Sequence, residues 1–97
     1  MRTIDFKDSS IAEDLRDPEF AAEYLAMALE DGVKGFVIAL RNVADANGGI
    51  GELAEATSLG RESLYKTLSE TGNSNPFFTT VNTILNALGL RLSVEVG

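Results

Sequence analysis

The 97-residue chain contains no cysteine and no histidine. That excludes disulfides, thiolate nucleophiles, zinc sites built on Cys or His, and any Ser-His-Asp machinery. No apolar run approaches the roughly 18 residues of a membrane span, and no signal-peptide core opens the N-terminus. A soluble cytoplasmic protein with no membrane partner is the expectation. Positive charge is scarce as well: 8 Lys and Arg stand against 15 Asp and Glu, a formal net charge of −7. The deficit is local. Residues 1–32 hold three basic and nine acidic residues, a net of −6, while residues 33–97 hold five and six, a net of −1.

What is present suits one modest core, because 44% of the residues are hydrophobic. The expectation is a single domain over 1–97, made of an acidic arm and helix (1–32), a helical core (33–89) and a terminal strand (90–97). Ile4 and Phe6 alternate with polar residues, as in a short strand or extended arm. Ser10-Ile-Ala-Glu13 has the form of a capping box, which predicts one or two helical turns reaching Arg16. Asp17-Pro18-Glu19 starts the first long helix with an N-cap, a proline at N1 and an acid in the first turn. Its apolar positions Phe20, Tyr24, Met27 and Ala28 recur at helical spacing, and Asp31-Gly32 ends it. Val33–Ala46 follows as a helix with Phe36, Leu40, Val43 and Ala44 on one stripe, although Gly35–Leu40 alone also suits a strand. Beyond Asn47-Gly48-Gly49, helices are expected at about 50–57 and 61–70. Asn75-Pro76 supplies an N-cap and N1 pair for a further helix that buries Phe77, Val81, Ile84, Leu85 and Leu88 and stops at Gly89. Leu90–Val96 then alternates apolar and polar, the pattern of a strand with one dry face. Such a strand needs a partner: the N-terminal arm, a second copy or another chain.

The chemistry concentrates in ELAEATSLGRESLYKTL, from Glu52 to Leu68. Two short helical patterns joined at Ser58-Leu59-Gly60 have the form of a helix-turn-helix, in which a small residue on the first helix, here Ala54, allows a close crossing. Leu53, Leu59, Leu64 and Leu68 form the seam behind the pair. With Leu64 and Leu68 turned inward, helical spacing exposes Arg61, Glu62, Tyr65, Lys66 and Ser69, with Ser63 at the edge of that face. Arg and Lys can bond guanine or phosphate, Glu can accept from cytosine N4, and Ser and Tyr can reach phosphates. An ordinary helical hairpin with a solvated face carries the same spacing. Gly49-Ile-Gly51-Glu-Leu-Ala54 also matches a dinucleotide-binding fingerprint, with Glu70 near the distance of a ribose contact. That fingerprint needs a strand running into its first glycine, and the chain has no room for a parallel sheet with crossovers. The acids Asp5, Asp8, Glu13, Asp14 and Asp17 read first as a solvated segment. The residues favour a non-enzyme without metal or cofactor.

The stretch from about Ala39 to Leu92, with the helix DPEFAAEYLAMALEDG ahead of it, resembles the probable addiction-module antidote proteins. These are HigA-like antitoxins of the lambda-repressor-like, Xre-type helix-turn-helix group. The most specific piece is Gly60-Arg-Glu-Ser-Leu-Tyr-Lys-Thr-Leu68, followed by Glu70 and the turn from Gly72-Asn73 to Pro76. The resemblance implies an all-α, five-helix domain that dimerises, binds double-stranded DNA at the operator of its own operon, and neutralises a RelE/ParE-like toxin encoded beside it. It also places Ser74 and Asn75 against the DNA backbone, although the turn here carries an extra Ser-Asn. Gly51 and Glu52 stand where the family opens the motif with Ser or Thr and then Gln.

The resulting expectation is an antitoxin and autorepressor. Its DNA contacts are Arg61, Glu62, Ser63, Tyr65, Lys66, Ser69, Ser74 and Asn75. With only Arg61 and Lys66 as cations on each protomer, binding needs two half-sites. The acidic residues Asp8, Glu13, Asp14, Glu19 and Glu23 are expected to face a small basic toxin. Leu90, Leu92, Val94 and Val96 are expected to join a homodimer. The alternative is a protein-interaction module that keeps the helix-turn-helix fold without DNA, which Glu52 and Glu62 favour.

Overall fold

Local capping chemistry sets the first long helix. The Asp17 carboxylate accepts from the Glu19 amide at 3.1 Å, and Pro18 occupies the first turn. The computed structural model describes residues 9–97, so the Ile4–Phe6 arm and Asp8 lie outside the described residues. Six helices form there: α1 (Ser9–Asp14), α2 (Pro18–Glu30), α3 (Val33–Ala46), α4 (Gly49–Thr57), α5 (Arg61–Thr67) and α6 (Phe78–Ala87). The fold is all-α. The turns expected before Arg16 are a helix of their own, one more than the five expected.

The α3 helix is the centre. It touches α1, α2 and α4 and buries Phe36, Val37, Ala39, Leu40, Val43, Ala44 and Ala46. A helix enclosed on several sides is apolar nearly all round, which is why Gly35–Leu40 also reads as a strand. Gly32, with φ at 117°, lets the chain reverse from α2 into α3. Two side chains tie the far end of α3 to the α1–α2 junction. Arg16 Nε donates to the Ala46 carbonyl at 3.0 Å, and Asn47 Nδ2 donates to the Leu15 carbonyl at 3.0 Å. Both satisfy carbonyls near a chain bend or helix end that lack a helical partner.

Three expectations are corrected. On α2 the inward residues are Ala21 and Leu25, while Phe20, Tyr24 and Ala28 are half-buried and Met27 is 64% exposed. Phe20, Tyr24 and Ala28 still pack against the core from the side, and only Met27 stands clear of it. The last helix starts at Phe78, not at Pro76, and Phe77 is 78% exposed. Asn75 is drawn out of the cap position because its amide donates to Asn73 Oδ1 at 2.9 Å, forming a turn. Finally, residues 90–97 form no strand, and no strand occurs among the described residues. Leu90 and Leu92 pack on the core. Val94 and Val96, however, are fully exposed, and among the described residues no strand is present to pair with them.

Candidate nucleic-acid interface

The α4 and α5 helices are joined by Ser58, Leu59 and Gly60, and one hydroxyl organises that turn. Thr57 Oγ1 donates to the Leu53 carbonyl at 2.7 Å and accepts from the Leu59 amide at 3.2 Å. Ser58 adopts φ 62°, a left-handed value unusual for a residue with a side chain, and its amide closes on the Ala54 carbonyl. Leu53, Leu64 and Leu68 are buried beneath the pair, and Leu59 packs against the same core. The seam expected behind the turn is therefore in place, with Ala54 half-buried in it.

That seam leaves Arg61, Glu62, Ser63, Tyr65 and Lys66 on the exposed side of α5. Ser69 is not on the helix: α5 ends at Thr67, and the Ser69 hydroxyl pairs with Thr71 Oγ1 at 3.0 Å in the following turn. Ser63, Lys66, Ser69, Ser74 and Asn75 nevertheless converge, since all of them line one polar groove of about 530 Å³ between α5 and the turn before α6. Asn73 braces its wall by donating to the Thr67 carbonyl at 3.4 Å. Arg61 reaches the other way. Its guanidinium lies 3.4 Å from where a Cβ on Gly51 would stand, so the missing side chain there gives Arg61 room over the first turn of α4. Glu52 is folded back over Gly48, the N-cap of α4, where the helix dipole favours a carboxylate.

Two cations beside this face carried no signal in the periodicity. Arg41 belongs to α3 and is largely buried. Its Nη1 donates to the Leu68 carbonyl at 2.8 Å, capping α5, and its Nε donates to Asp45 Oδ1 at 3.3 Å. Its guanidinium lies 5.4 Å from the centre of the Tyr65 ring, close enough for cation–π attraction. Arg41 thus fixes both the end of α5 and the one aromatic ring on its exposed face. Glu70 Oε1 lies 3.7 Å from Arg41 Nη2 but is 82% exposed, so that pair adds little. Lys34, also on α3, runs across Gly72 so closely that a side chain on Gly72 would overlap it. Its stem borders the polar groove that Gly72 helps to line.

The other expected residues lie apart from this face in sequence. Glu13, Asp14, Glu19 and Glu23 are exposed on α1 and α2. Asp8 lies outside the described residues. Leu90 and Leu92 flank a small apolar cleft of about 350 Å³ against α2 and α6, while Val94 and Val96 project beyond it.

Helices around a central one, with a tightly turned pair beside a polar groove, make the described residues a small all-α protein. The chain belongs to the family of probable addiction module antidote proteins, whose pattern matches residues 5–96. It is also 37% identical over 94 residues to an uncharacterised protein of Haemophilus influenzae, an alignment covering 96% of this chain and 94% of that protein. No solved structure matches the chain. The family implies a toxin as partner. Among the described residues, no helix is long and apolar enough to cross a membrane.

Proposed function

We propose that the protein is a cytoplasmic antitoxin that neutralises a RelE/ParE-like toxin and represses its own operon, acting as a binding protein and not as an enzyme. Family membership supports the antitoxin role. The autorepressor role rests on one observation: five of the eight expected DNA contacts line a single groove, and Arg61, Glu62 and Tyr65 stand exposed on the same short helix. In this reading α4–α5 is a helix-turn-helix of lambda-repressor-like type, α5 enters the major groove, and the Ser69–Asn75 turn follows a phosphate backbone. Glu52, turned back over Gly48, is held away from the phosphates it would otherwise repel. Few cations serve each half-site, so two copies are required, with the exposed Val94 and Val96, beyond the core-packed Leu90 and Leu92, offering a contact between them.

Footprinting of the upstream DNA with pure protein tests this reading. Two protected half-sites about one helical turn apart are expected. Arg61→Ala should weaken binding by roughly 1–3 kcal/mol and relax base preference at one position in each half-site. A failure to protect any site even at low salt would hand the face to a protein partner, the reading that the exposed Glu62 favours.

A further inference from the structure

A large apolar groove lies between α2 and α3 among the described residues. It has a volume of about 540 Å³, with Phe20, Tyr24 and Met27 on one wall and Ile38 on the other. Its floor is made of small residues: a Cβ on Gly35 would stand 3.6 Å from the Ala28 carbonyl, and Ala39 lies a turn further on. Tyr24 is fixed at one end, where its hydroxyl accepts from Asn42 Nδ2 at 2.9 Å. Met27, 64% exposed, is flexible enough to mould to an incoming apolar side chain. From Phe20 to Asp31 the trough runs about 16 Å at ~1.5 Å per residue, the length of three helical turns.

The charged side chains that line it, Glu23 and Asp31, have one sign, and the rest of α2 adds to it. Asp17, Glu19, Glu23, Glu30 and Asp31 give α2 and its caps five acids, and that segment contains no Lys or Arg. Among the described residues none of the five is in a salt bridge. Glu23 and Asp31 line the groove itself. A second copy of this chain would bring the same five acids against them, so an isologous contact here repels itself. An occupant with apolar residues at helical spacing and cations on its flanks satisfies both the trough and the rim.

We infer that the α2–α3 groove is the seat for a cationic amphipathic helix of the toxin. This rests on the antitoxin reading above. Apolar side chains of that helix enter between Tyr24, Met27 and Ile38, and its Lys or Arg residues meet Glu23 and Asp31. The acids speed encounter and the groove sets the lifetime of the complex.

The test uses the full chain and the protein encoded by the adjacent reading frame, measured by surface-based binding kinetics. Met27→Glu should raise the dissociation constant at least tenfold, chiefly through faster release. Glu23→Lys should slow association several-fold and flatten its salt dependence. Both sites are exposed, so the variants should keep their helical content, and promoter protection should be unchanged. Because the chain has no cysteine, Met27→Cys provides a single thiol, and a thiol-to-amine cross-linker should join it to a lysine on a helix of the toxin. Wild-type binding in both charge variants, or a cross-link to an acidic or strand segment, overturns the groove assignment and leaves the antitoxin reading standing. Loss of the chain's own dimer in Met27→Glu without toxin would assign the groove to a second copy and overturn it too. If the wild-type chain forms no complex at all, the antitoxin reading falls and takes this proposal with it.

Discussion

The α2 and α5 helices are both amphipathic but are held in different ways: α2 packs along α3, whereas α5 packs on α4 and meets α3 through Arg41. The longer one, α2, has 13 residues, a carboxylate N-cap and a proline in its first turn, and it packs along α3. The shorter, α5, has seven residues, and its N-cap Gly60 offers no side-chain hydrogen bond. Isolated helices below about 12–15 residues are marginal in water. The α5 helix is therefore sustained by tertiary contacts: its own Leu64 and the following Leu68 are buried in the core, α4 packs on it, and Arg41 caps its end. The two also differ in charge: α2 and its caps are wholly acidic, whereas Arg61 and Lys66 offset Glu62 on α5. A chain with net charge −7 can offer a polyanion a near-neutral face only if its acids are gathered elsewhere, and α2 is a principal gathering place.

Breaking that contrast most severely requires a shared support. Leu64 is fully buried, so Leu64→Ala should cost about 2–5 kcal/mol of folding free energy and lower the melting temperature by many degrees, as read by circular dichroism and urea titration. Both faces should be lost together. Arg41→Ala is more selective. It orphans the Leu68 carbonyl and frees Tyr65, so about 1.5–3 kcal/mol of stability should go. Operator affinity should fall by more than that loss alone explains, while toxin binding by folded protein should be unchanged. Equal losses at both faces would refute the separate support of α5. Asp17→Ala should act on the other side and by less, costing about 1 kcal/mol through fraying of the first turn of α2. Amide exchange at Glu19 and Phe20 should quicken, with α5 unaffected.

Features decided within a few residues were readable in advance. Asp17-Pro18 starts α2, Gly32 separates it from α3, and Val33–Ala46 is helical over the range that the periodicity predicts. The leucines behind the α4–α5 turn and the exposure of Arg61, Glu62, Tyr65 and Lys66 follow from helical spacing alone. What could not be read depends on distant partners. Asn75-Pro76 carries the local signature of a helix start, but Asn73 competes for the Asn75 amide and the start moves to Phe78. Ser69 fits the α5 face by spacing, yet Arg41, 27 positions away from Leu68, takes the carbonyl at which that helix ends. The alternation from Leu90 to Val96 is a strand pattern that finds no partner among the described residues. Arg41 and Lys34 share the same blind spot: both sit on α3 and act on residues in another part of the sequence.

The enclosure of α3 has a kinetic meaning. Its inner amides are shielded by three neighbouring helices, so they can meet solvent only when the whole molecule opens, and their hydrogen exchange reports the global stability. The α5 amides need only Arg41 and two leucines to let go. A slow class and a fast class of protons should therefore coexist in one small chain. A toxin bound along α2 would leave that fast class fast, while an operator bound at α5 would slow it.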